Sequence, residues 1–402
     1  MKVLVNGAGI AGNALAFWLS RIGHSVTVLE RYPELRVTGL QIDLRGHGIE
    51  VLKRMGLKEE FHRYMPPETG IQIVNSSGKR IAYFPANKSG KGLQDFTTEY
   101  EIMRGDFCKV LYDATKDRAT YVFDTSITSF VDNGKMVEVQ FSDGRTDDFD
   151  LVVGADGIGS RTRKIMGLDG FHSCDGQYTA YFTLPWQIRT DEDYIATMYM
   201  ATGGRGVMTR RNNARELQSY LFCKTSSESL LQAQRGSEQE RAALVDIMRG
   251  SGWQTEEILN ALPKVKDFYC ERLGLVKLES WSRGRVALVG DAAYCPSANT
   301  GMGTTCALVG AYVLAGEISE HKQDVSAAFR AYDRKFKPFV DQVQAGVLEK
   351  GAGLPSSWLG IAFINGMLSV ASFFKVNVFG RFFLKENVKG WELPLYENMV
   401  GN

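Results

Sequence analysis

The spacing of apolar positions near the start of the chain changes from that of a strand to that of a helix. Residues 2–6 form a short β-branched run, and residues 11–23 place apolar side chains at helical spacing before Gly23 ends the segment. A second apolar run, SVTVLE, follows at 25–30. A strand, a helix and a strand in this order predict a βαβ unit whose two strands are parallel and buried.

The middle of the chain follows a different pattern. Residues 71–84 predict a hairpin around Ser76-Ser77-Gly78, residues 128–144 a second hairpin around residues 132–134, and aromatic-rich runs between 176 and 223 an antiparallel sheet. After residue 283 the α/β pattern returns, with the run RVALVGD and an apolar helix at 305–318. We therefore predict that a second domain is inserted into the first.

Residues 358–374 carry no charged side chain. A membrane-spanning helix needs about 20 apolar residues, so we predict instead a helix buried against the rest of the protein. Contact with a membrane surface, helped by Lys375, Arg381 and Lys385, is the alternative interpretation.

Length, charge and cysteine content limit the class of protein. The 402 residues predict two or three structural units, and the net charge of +1 gives no basic field for nucleic acid, which we exclude as a partner. The six cysteines contain no CxxC pair, and the five histidines have no metal-ligand spacing, so we predict no metal site. With no apolar signal-peptide core, we expect a reduced, cytoplasmic protein; the oligomeric state is not indicated.

Three strand ends carry the candidate chemistry. The first is Gly7-x-Gly9-x-x-Gly12 between a strand and a helix, with Glu30 at the end of the next strand. Gly7 allows a tight turn, Gly9 lets the backbone approach a diphosphate, and Gly12 lets the helix lie against the strand. Glu30 is placed to accept hydrogen bonds from ribose hydroxyls, so we predict a dinucleotide site. Arg31 does not distinguish NAD from FAD.

The second and third stretches each bring a carboxylate to the end of a buried strand. They are Asp156-Gly157 with Ser160 and Arg163, and Gly290-Asp291, which precedes Gly301-Met302-Gly303. Open α/β sheets bind ligands at the carboxyl ends of their strands.

In this order and at these intervals, the three stretches resemble the fingerprints of single-component (group A) flavin monooxygenases of the para-hydroxybenzoate hydroxylase fold. The resemblance covers roughly residues 1–345, and from residue 252 to residue 318 it is closest to tetracycline-inactivating monooxygenases and related polyketide-modifying enzymes. It implies an α/β fold with a Rossmann-like FAD-binding domain of glutathione reductase type, an inserted, mostly antiparallel β substrate domain and a C-terminal helical segment. The implied boundaries are 1–70, 100–170 and 276–345 for the FAD-binding domain, 71–99 and 171–275 for the substrate domain, and 346–402 for the C-terminal segment.

The resemblance also implies an activity. It implies an enzyme that binds FAD, consumes NAD(P)H and O₂, and hydroxylates or otherwise oxygenates an electron-rich aromatic or polyketide-type small molecule through a flavin C4a-hydroperoxide. Tetracycline inactivation is an alternative, and a flavin dehydrogenase or oxidase and a catalytically silent FAD-binding interaction protein are further ones. A flavin-dependent halogenase is disfavoured, because the stretch at 184–189 lacks the second Trp of a WxWxIP motif.

The site residues follow from the same resemblance. The implied cofactor-binding residues are Gly7, Gly9, Ala11, Gly12, Glu30, Arg31, Gln41, Arg45, Arg104, Asp156, Asp291, Gly301, Met302 and Gly303. Arg45 is a candidate contact to flavin or substrate, and the chemistry is left to the flavin, with no general base named. A surface interpretation of residues 41–45, and an ordinary helix-start role for Arg104, remain alternatives. The family often has His at the position of Tyr294, a second Pro at that of Ala298 and Asn near Thr305.

Aromatic and methionine side chains of the predicted sheet are candidates for the substrate wall. The substrate-binding candidates are Tyr181, Met208, Tyr220 and Pro296. An apolar, aromatic-rich wall suits a polycyclic phenol or a polyketide. Such side chains also serve as ordinary core, which is the alternative.

Overall fold

The computed structural model describes residues 1–87, 98–190, 192–322, 324–348, 354–374 and 388–400. In these residues the strands are β1 Lys2–Asn6, β2 Ser25–Leu29, β3 Gln41–Asp43, β4 Gly70–Val74, β5 Arg80–Pro85, β6 Glu101–Met103, β7 Thr120–Val122, β8 Ile127–Asp132, β9 Val137–Phe141, β10 Thr146–Phe149, β11 Leu151–Gly154, β12 Phe171–Pro185, β13 Ala196–Ala201, β14 Arg205–Arg210, β15 Glu216–Lys224, β16 Tyr269–Val276, β17 Ser282–Arg283 and β18 Val286–Leu288. The helices are α1 Ile10–Arg21, α2 His47–Met55, α3 Lys58–His62, α4 Arg104–Asp113, α5 Arg161–Ile165, α6 Glu228–Gln232, α7 Glu238–Met248, α8 Thr255–Ala261, α9 Asp291–Tyr294, α10 Gly303–Glu320, α11 Val325–Gln344, α12 Trp358–Phe373 and α13 Glu397–Val400.

The first sheet has the strand order β17-β18-β11-β1-β2-β7 in the described residues. Strands β18, β11, β1, β2 and β7 run parallel, with Val3 opposite both Val26 and Leu151. The βαβ prediction is thus confirmed. The three strand ends that carry the sequence motifs, β1, β11 and β18, are direct neighbours in this sheet, so the motifs meet at its carboxyl edge.

The second sheet has the order β16-β12-β15-β14-β13-β4-β5 in the part of the chain that the structure describes. Its strands pair antiparallel except β4 with β13, which are parallel. The hairpin predicted at 71–84 is β4–β5, and the one predicted at 128–144 is β8–β9, which belongs to a separate small sheet with β10. Because the second sheet takes strands from both sides of β7 and β11 along the chain, the predicted insertion is confirmed.

The two faces of the second sheet have different neighbours. On one face, which we call the outer face, Val207, Leu221 and Cys270 pack in a core with Leu244 of α7 and Ile258 of α8. Side chains alternate along a strand, so the residues between them project from the opposite, inner face. The inner face meets the segment around β3, because the backbone N–H of Gln41 donates to the Tyr220 hydroxyl at 3.1 Å.

The prediction for the charge-free run 358–374 is correct for one face of the helix only. In α12, Leu368 is buried against Ile73, Ala82 and Met200 of the second sheet. Other large apolar side chains are exposed: Trp358, Leu359, Phe363, Met367, Val370 and Phe373. Among the described residues, the core that contains Leu368 joins α12 to the second sheet on one side of the helix. Lys375, Arg381 and Lys385 lie outside the described residues, so contact with a membrane stays a prediction. Among the described helices none has the length and apolar character to cross a bilayer.

Candidate functional site

The three glycines of the first motif differ in whether the structure leaves room for a side chain. Gly7 has φ 119°, and a Cβ there would lie 2.6 Å from the Ala155 carbonyl oxygen at the end of β11. A Cβ on Gly12 would lie 1.8 Å from the Gly7 carbonyl oxygen. A Cβ on Gly9 would meet only Arg104 Nη2, at 3.6 Å. Gly7 and Gly12 are therefore required by the fold, whereas Gly9 borders open space at the start of α1, where backbone N–H groups attract anions.

Glu30 lies beside this turn, as the sequence predicts. Its carboxylate accepts hydrogen bonds from the backbone N–H groups of Ala8 at 3.1 Å and Tyr32 at 3.2 Å. Arg31 behaves differently, because its side chain is exposed and its guanidinium lies over the Tyr32 ring at 4.9 Å. The structure thus places Glu30, but not the side chain of Arg31, at the glycine turn.

Asp156 is held by residues of its own motif. One carboxylate oxygen accepts a hydrogen bond from the Ser160 hydroxyl at 2.5 Å, and the other accepts bonds from the backbone N–H and the hydroxyl of Thr162 and from the Asn6 amide. Because Asn6 ends β1, Asp156 ties the second motif to the first. Arg163 then reaches the third, donating to the Ala292 carbonyl at 2.9 Å.

Asp291 begins α9 directly after the turn at Gly290. Gly290 has φ 67°, and a Cβ there would lie 2.7 Å from the Cβ of Ala11, so this turn lies on the glycine loop of the first motif. Burial raises the pKa of the Asp291 carboxyl, and the Cys295 thiol opposes that rise by hydrogen bonding. The loop that follows contains Pro296, which is buried, and Ser297, which has φ 70°. A non-glycine residue in this conformation is strained, and such strain is concentrated at functional sites.

The loop Gly301-Met302-Gly303 begins α10 and leaves space at its end. Gly301 is left-handed with φ 64°, Met302 is buried, and a Cβ on Gly303 would meet no atom within 4 Å. The first N–H groups of α10, an 18-residue helix, have no partners within the helix. The N-terminus of α10 is therefore able to stabilise negative charge on a bound group.

Arg104 and the segment 41–45 form the remaining boundary of the site. Arg104 begins α4, and its guanidinium lies between Gly9 and the Thr38 carbonyl, to which it donates at 3.5 Å. Gln41 and Arg45 are both buried, so the surface interpretation of this segment is wrong. Arg45 is ion-paired with Asp43.

Thr305 is a residue that the sequence did not single out as functional. Its hydroxyl accepts a hydrogen bond from the Arg45 backbone N–H at 2.9 Å and donates one to the Arg45 carbonyl at 3.1 Å. This one side chain joins the first turn of α10 to the segment that carries Arg45. The signal that was available was the departure from the family's Asn near this position.

The predicted substrate residues of the sheet lie together on its inner face. Tyr181, Met208 and Tyr220 form one buried cluster, with Leu40 and Tyr269 packed against it. The rings of Tyr181 and Tyr269 are 5.2 Å apart, and Arg36 donates to the Tyr181 hydroxyl at 3.5 Å. The cluster is therefore the apolar wall that faces the segment 40–45. A separate polar cavity of about 470 Å³, which Trp186, Arg211 and Trp253 line, does not include this cluster.

A carboxyl that titrates near neutral pH lies beside this wall, although the sequence did not indicate it. Glu271 is two residues from Tyr269 on β16 and therefore projects from the same face. Burial, reinforced by the charge of Asp291, raises the pKa of Glu271 to about 7. Perturbed carboxyls of this kind are common at active sites.

The arrangement fits a flavin dinucleotide. Glu30 could accept hydrogen bonds from a ribose, the open space at Gly9 next to Arg104 suits a diphosphate, and the N-terminus of α10 beyond Gly303 suits the ring. Arg45 and the apolar wall form the other boundaries of this site.

Comparison with known proteins agrees with this fit. Residues 1–346 match the family model described as FAD binding domain. The FAD-dependent monooxygenase asL4 of Sarocladium schorii is 48% identical over an alignment 425 positions long, which covers 100% of this chain and 99% of that protein. The flavin-dependent monooxygenase eupH of Phoma sp is 42% identical, with coverage of 85% and 84%. Among solved structures, the tetracycline destructase Tet(51) has a TM-score of 0.80 at 29% identity, covering 98% of this chain and 99% of that one. The chain therefore belongs to the FAD binding domain family and, within it, to the FAD-dependent monooxygenases.

Proposed function

We propose that this monooxygenase takes electrons from NAD(P)H and inserts one oxygen atom of O₂ into an electron-rich aromatic or polyketide-type small molecule. The observation that carries the proposal is the wall of Tyr181, Met208 and Tyr220, which faces the segment of Gln41 and Arg45. A wall of this composition suits a large, flat, weakly polar substrate. Bound FAD would supply the redox chemistry and the activation of O₂.

The residues of the chain have the task of binding and orientation. Arg104 and the N–H groups at Gly9 would bind the diphosphate, Glu30 and Asp291 the hydroxyl-bearing parts, and the N-terminus of α10 the ring. Arg45 would contact the flavin or the substrate, with its backbone fixed by Thr305. Pro296 would close the pocket next to the strained Ser297.

A panel of phenols and aromatic polyketides tests the proposal. Purified holoenzyme is mixed with NADPH or NADH and each compound, and both cofactor oxidation and product mass are recorded. We expect at least one member to accelerate cofactor oxidation and to yield a product heavier by one oxygen atom. Stimulated oxidation with only hydrogen peroxide as product contradicts oxygen transfer to that compound. Absence of reduction by either nucleotide contradicts NAD(P)H as the electron donor.

Tetracycline inactivation is a second candidate. The observation that favours it is the match to tetracycline destructase Tet(51) over nearly the whole of both chains. Including tetracycline in the panel tests it directly, because a product of increased mass with loss of antibiotic activity supports this substrate, and an unchanged compound rejects it.

A further inference from the structure

A group of polar and charged side chains, all buried except the half-buried Asp43, joins the strand that carries Gln41 to the second sheet. We call it the carboxyl cluster; its members are Gln41, Asp43, Arg45, Glu68, Glu101 and Arg210. Asp43 on β3 and Glu101 on β6 are opposite each other in an antiparallel pair, so two carboxyls lie side by side. Arg210 comes from β14, on the same inner face as Met208. The cluster therefore lies next to the apolar wall.

The contacts in the cluster are close and well aligned. Arg210 binds Glu68 through two N–H groups, at 2.8 and 2.6 Å, and donates to one oxygen of Glu101 at 2.9 Å. The Gln41 amide donates to the other oxygen of Glu101 at 3.1 Å. Both oxygens of Glu101 are thus engaged, by Arg210 on one side and by Gln41 on the other.

The charges of the cluster do not balance. Within the described residues it contains two guanidinium groups, those of Arg45 and Arg210, and the three carboxyls of Asp43, Glu68 and Glu101. The Arg210, Glu68 and Glu101 side chains are only 6%, 1% and 3% exposed. A negative charge in excess at such a position is costly, and arginine does not give up its proton, so an excess of carboxyls favours the state in which one of them retains a proton.

Glu101 is the carboxyl placed to hold this proton. Burial, together with the charges of Glu68 and Asp43, raises the pKa of Glu101 to about 8 in spite of Arg210. The groups that face it from the neighbouring elements are Arg210 on β14, Glu68 before β4, and Gln41 and Asp43 on β3; Tyr220 on β15 lies beyond Arg210.

Gln41 supplies an independent observation. Its carbonyl oxygen Oε1 is buried and has no hydrogen-bond partner among the described residues. The two ends of a carboxamide are assigned only from their hydrogen bonds, and rotation by half a turn exchanges them. An ionised Glu101 accepts only the NH₂ end of Gln41. A neutral Glu101 donates a hydrogen bond from its carboxyl O–H to the carbonyl end of Gln41, so that the NH₂ end faces away.

We propose that Glu101 retains its proton at neutral pH and acts as a positioning residue, turning the Gln41 carboxamide so that its NH₂ group faces away from Glu101 as a hydrogen-bond donor. Loss of the proton reverses the carboxamide and presents an acceptor instead. One step of this proposal rests on the proposed function, namely that the strand of Gln41 lies beside the flavin.

Two substitutions of the same chemistry are expected to have opposite effects. Glu101→Gln keeps a donor facing Gln41 at every pH, so this variant holds the state of the protonated wild type. Glu68→Gln removes one negative charge, which lets Glu101 ionise, so this variant at neutral pH adopts the state that the wild type reaches only in alkali. Both changes leave Arg210 with a neutral amide in place of one carboxylate.

The first readout is the infrared carbonyl band of a protonated carboxyl in the full-length protein. We expect a band that titrates in the wild type. At neutral pH both variants should lose the part of the band that belongs to Glu101, whereas the contribution of Glu271, whose pKa is also raised, should remain. A wild type without such a band, or a Glu101→Gln variant whose band is as strong as that of the wild type, overturns the proposal. This measurement requires no folded variant beyond Glu101→Gln and no activity, so it is independent of whether the proposed function holds.

The second readout is the FAD dissociation constant against pH. In the wild type we expect it to change across neutral to alkaline pH by no more than about tenfold per pH unit, as one proton allows. The Glu101→Gln profile should lose the part of the change that Glu101 causes, and Glu68→Gln at neutral pH should move towards the wild-type value in alkali. A Glu101→Gln variant with the wild-type pH dependence contradicts the positioning role. Failure of the substrate panel with both readouts as expected would instead contradict the proposed function alone.

Discussion

Alanine at Gly9 and alanine at Gly12 should have opposite consequences, although each adds one methyl group to the same turn. Gly9 has φ −78° and an extended ψ of −170°, a conformation that alanine adopts, and its Cβ would lie 3.6 Å from Arg104 Nη2. Gly9→Ala should therefore stabilise the apoprotein by about 0.4–1 kcal/mol, because it reduces the freedom of the unfolded chain. The same methyl group occupies the space between the turn and Arg104, where the diphosphate would bind.

The loss in FAD affinity follows from that overlap. Forcing a methyl group into a packed space costs about 1–3 kcal/mol, which raises the FAD dissociation constant roughly 5- to 150-fold. At Gly12 the added Cβ would lie 1.8 Å from the Gly7 carbonyl oxygen, a backbone atom that cannot move without displacing β1 from β11. Gly12→Ala should therefore destabilise the apoprotein itself by about 1–3 kcal/mol or more.

Two assays separate the effects. Urea unfolding of the apoprotein gives the free energy of unfolding, and quenching of FAD fluorescence gives the dissociation constant. Unchanged FAD affinity in a folded Gly9→Ala variant would refute the placement of the diphosphate at this turn. A Gly12→Ala variant as stable as the wild type would refute the steric argument.

Four further predictions concern single side chains. Thr305→Val should destabilise the protein by about 1–3 kcal/mol, because it removes the hydroxyl that accepts from the buried Arg45 N–H. It should also weaken FAD binding in titration. The control is Thr255→Val, which removes a buried hydroxyl in α8 and should leave FAD affinity unchanged. Asp291→Ala should yield a colourless protein after gel filtration, and retention of yellow FAD would argue against its role. Glu30→Ala should weaken FAD binding by about 1–3 kcal/mol in the same titration, whereas an unchanged constant would point to another ribose partner. Because the pKa of Glu101 is raised to about 8, the folded state holds a proton that the unfolded chain releases above about pH 4, so this group's contribution to stability should fall between these values and level off above. Urea unfolding at several pH values should show a steeper fall in the wild type than in Glu101→Gln, which keeps only the smaller fall due to Glu271, and equal slopes would contradict it.

The parts of the fold that the sequence predicted are those determined by neighbouring residues. The βαβ unit, the two hairpins and the roles of Gly7 and Gly12 depend on periodicity and on steric limits within a few residues. Thr305 was missed because its partner Arg45 is 260 positions away in the chain, and nothing local to either residue indicates the contact. Glu101 was missed for the same reason, since Arg210 is 109 positions away and meets it only through the packing of β14 against β6.

The prediction for residues 358–374 failed in an instructive way. Their composition predicted burial, and α12 does bury Leu368 against the second sheet. Composition reports how much apolar surface a helix carries, whereas burial also depends on how many neighbours surround it. In the part of the chain that the structure describes, the second sheet buries one side of α12, and Phe363 and Phe373 are 67% and 82% exposed.

The structure distinguishes Asp156 from Asp291, although the two carboxylates occupy similar motifs in the sequence. In the sequence each carboxylate ends an apolar run next to a glycine, and the family resemblance implied that both bind the cofactor. In the structure the oxygens of Asp156 are occupied by Ser160, Thr162 and Asn6, which join β1 to β11. Asp291 is half-buried with a raised pKa beside the Cys295 thiol, and taking a carboxylate out of water is costly unless a ligand hydrogen-bonds to it. Replacing Asp156 should therefore lower stability with or without FAD, whereas Asp291 lies where a bound hydroxyl-bearing group would offset the cost of its burial.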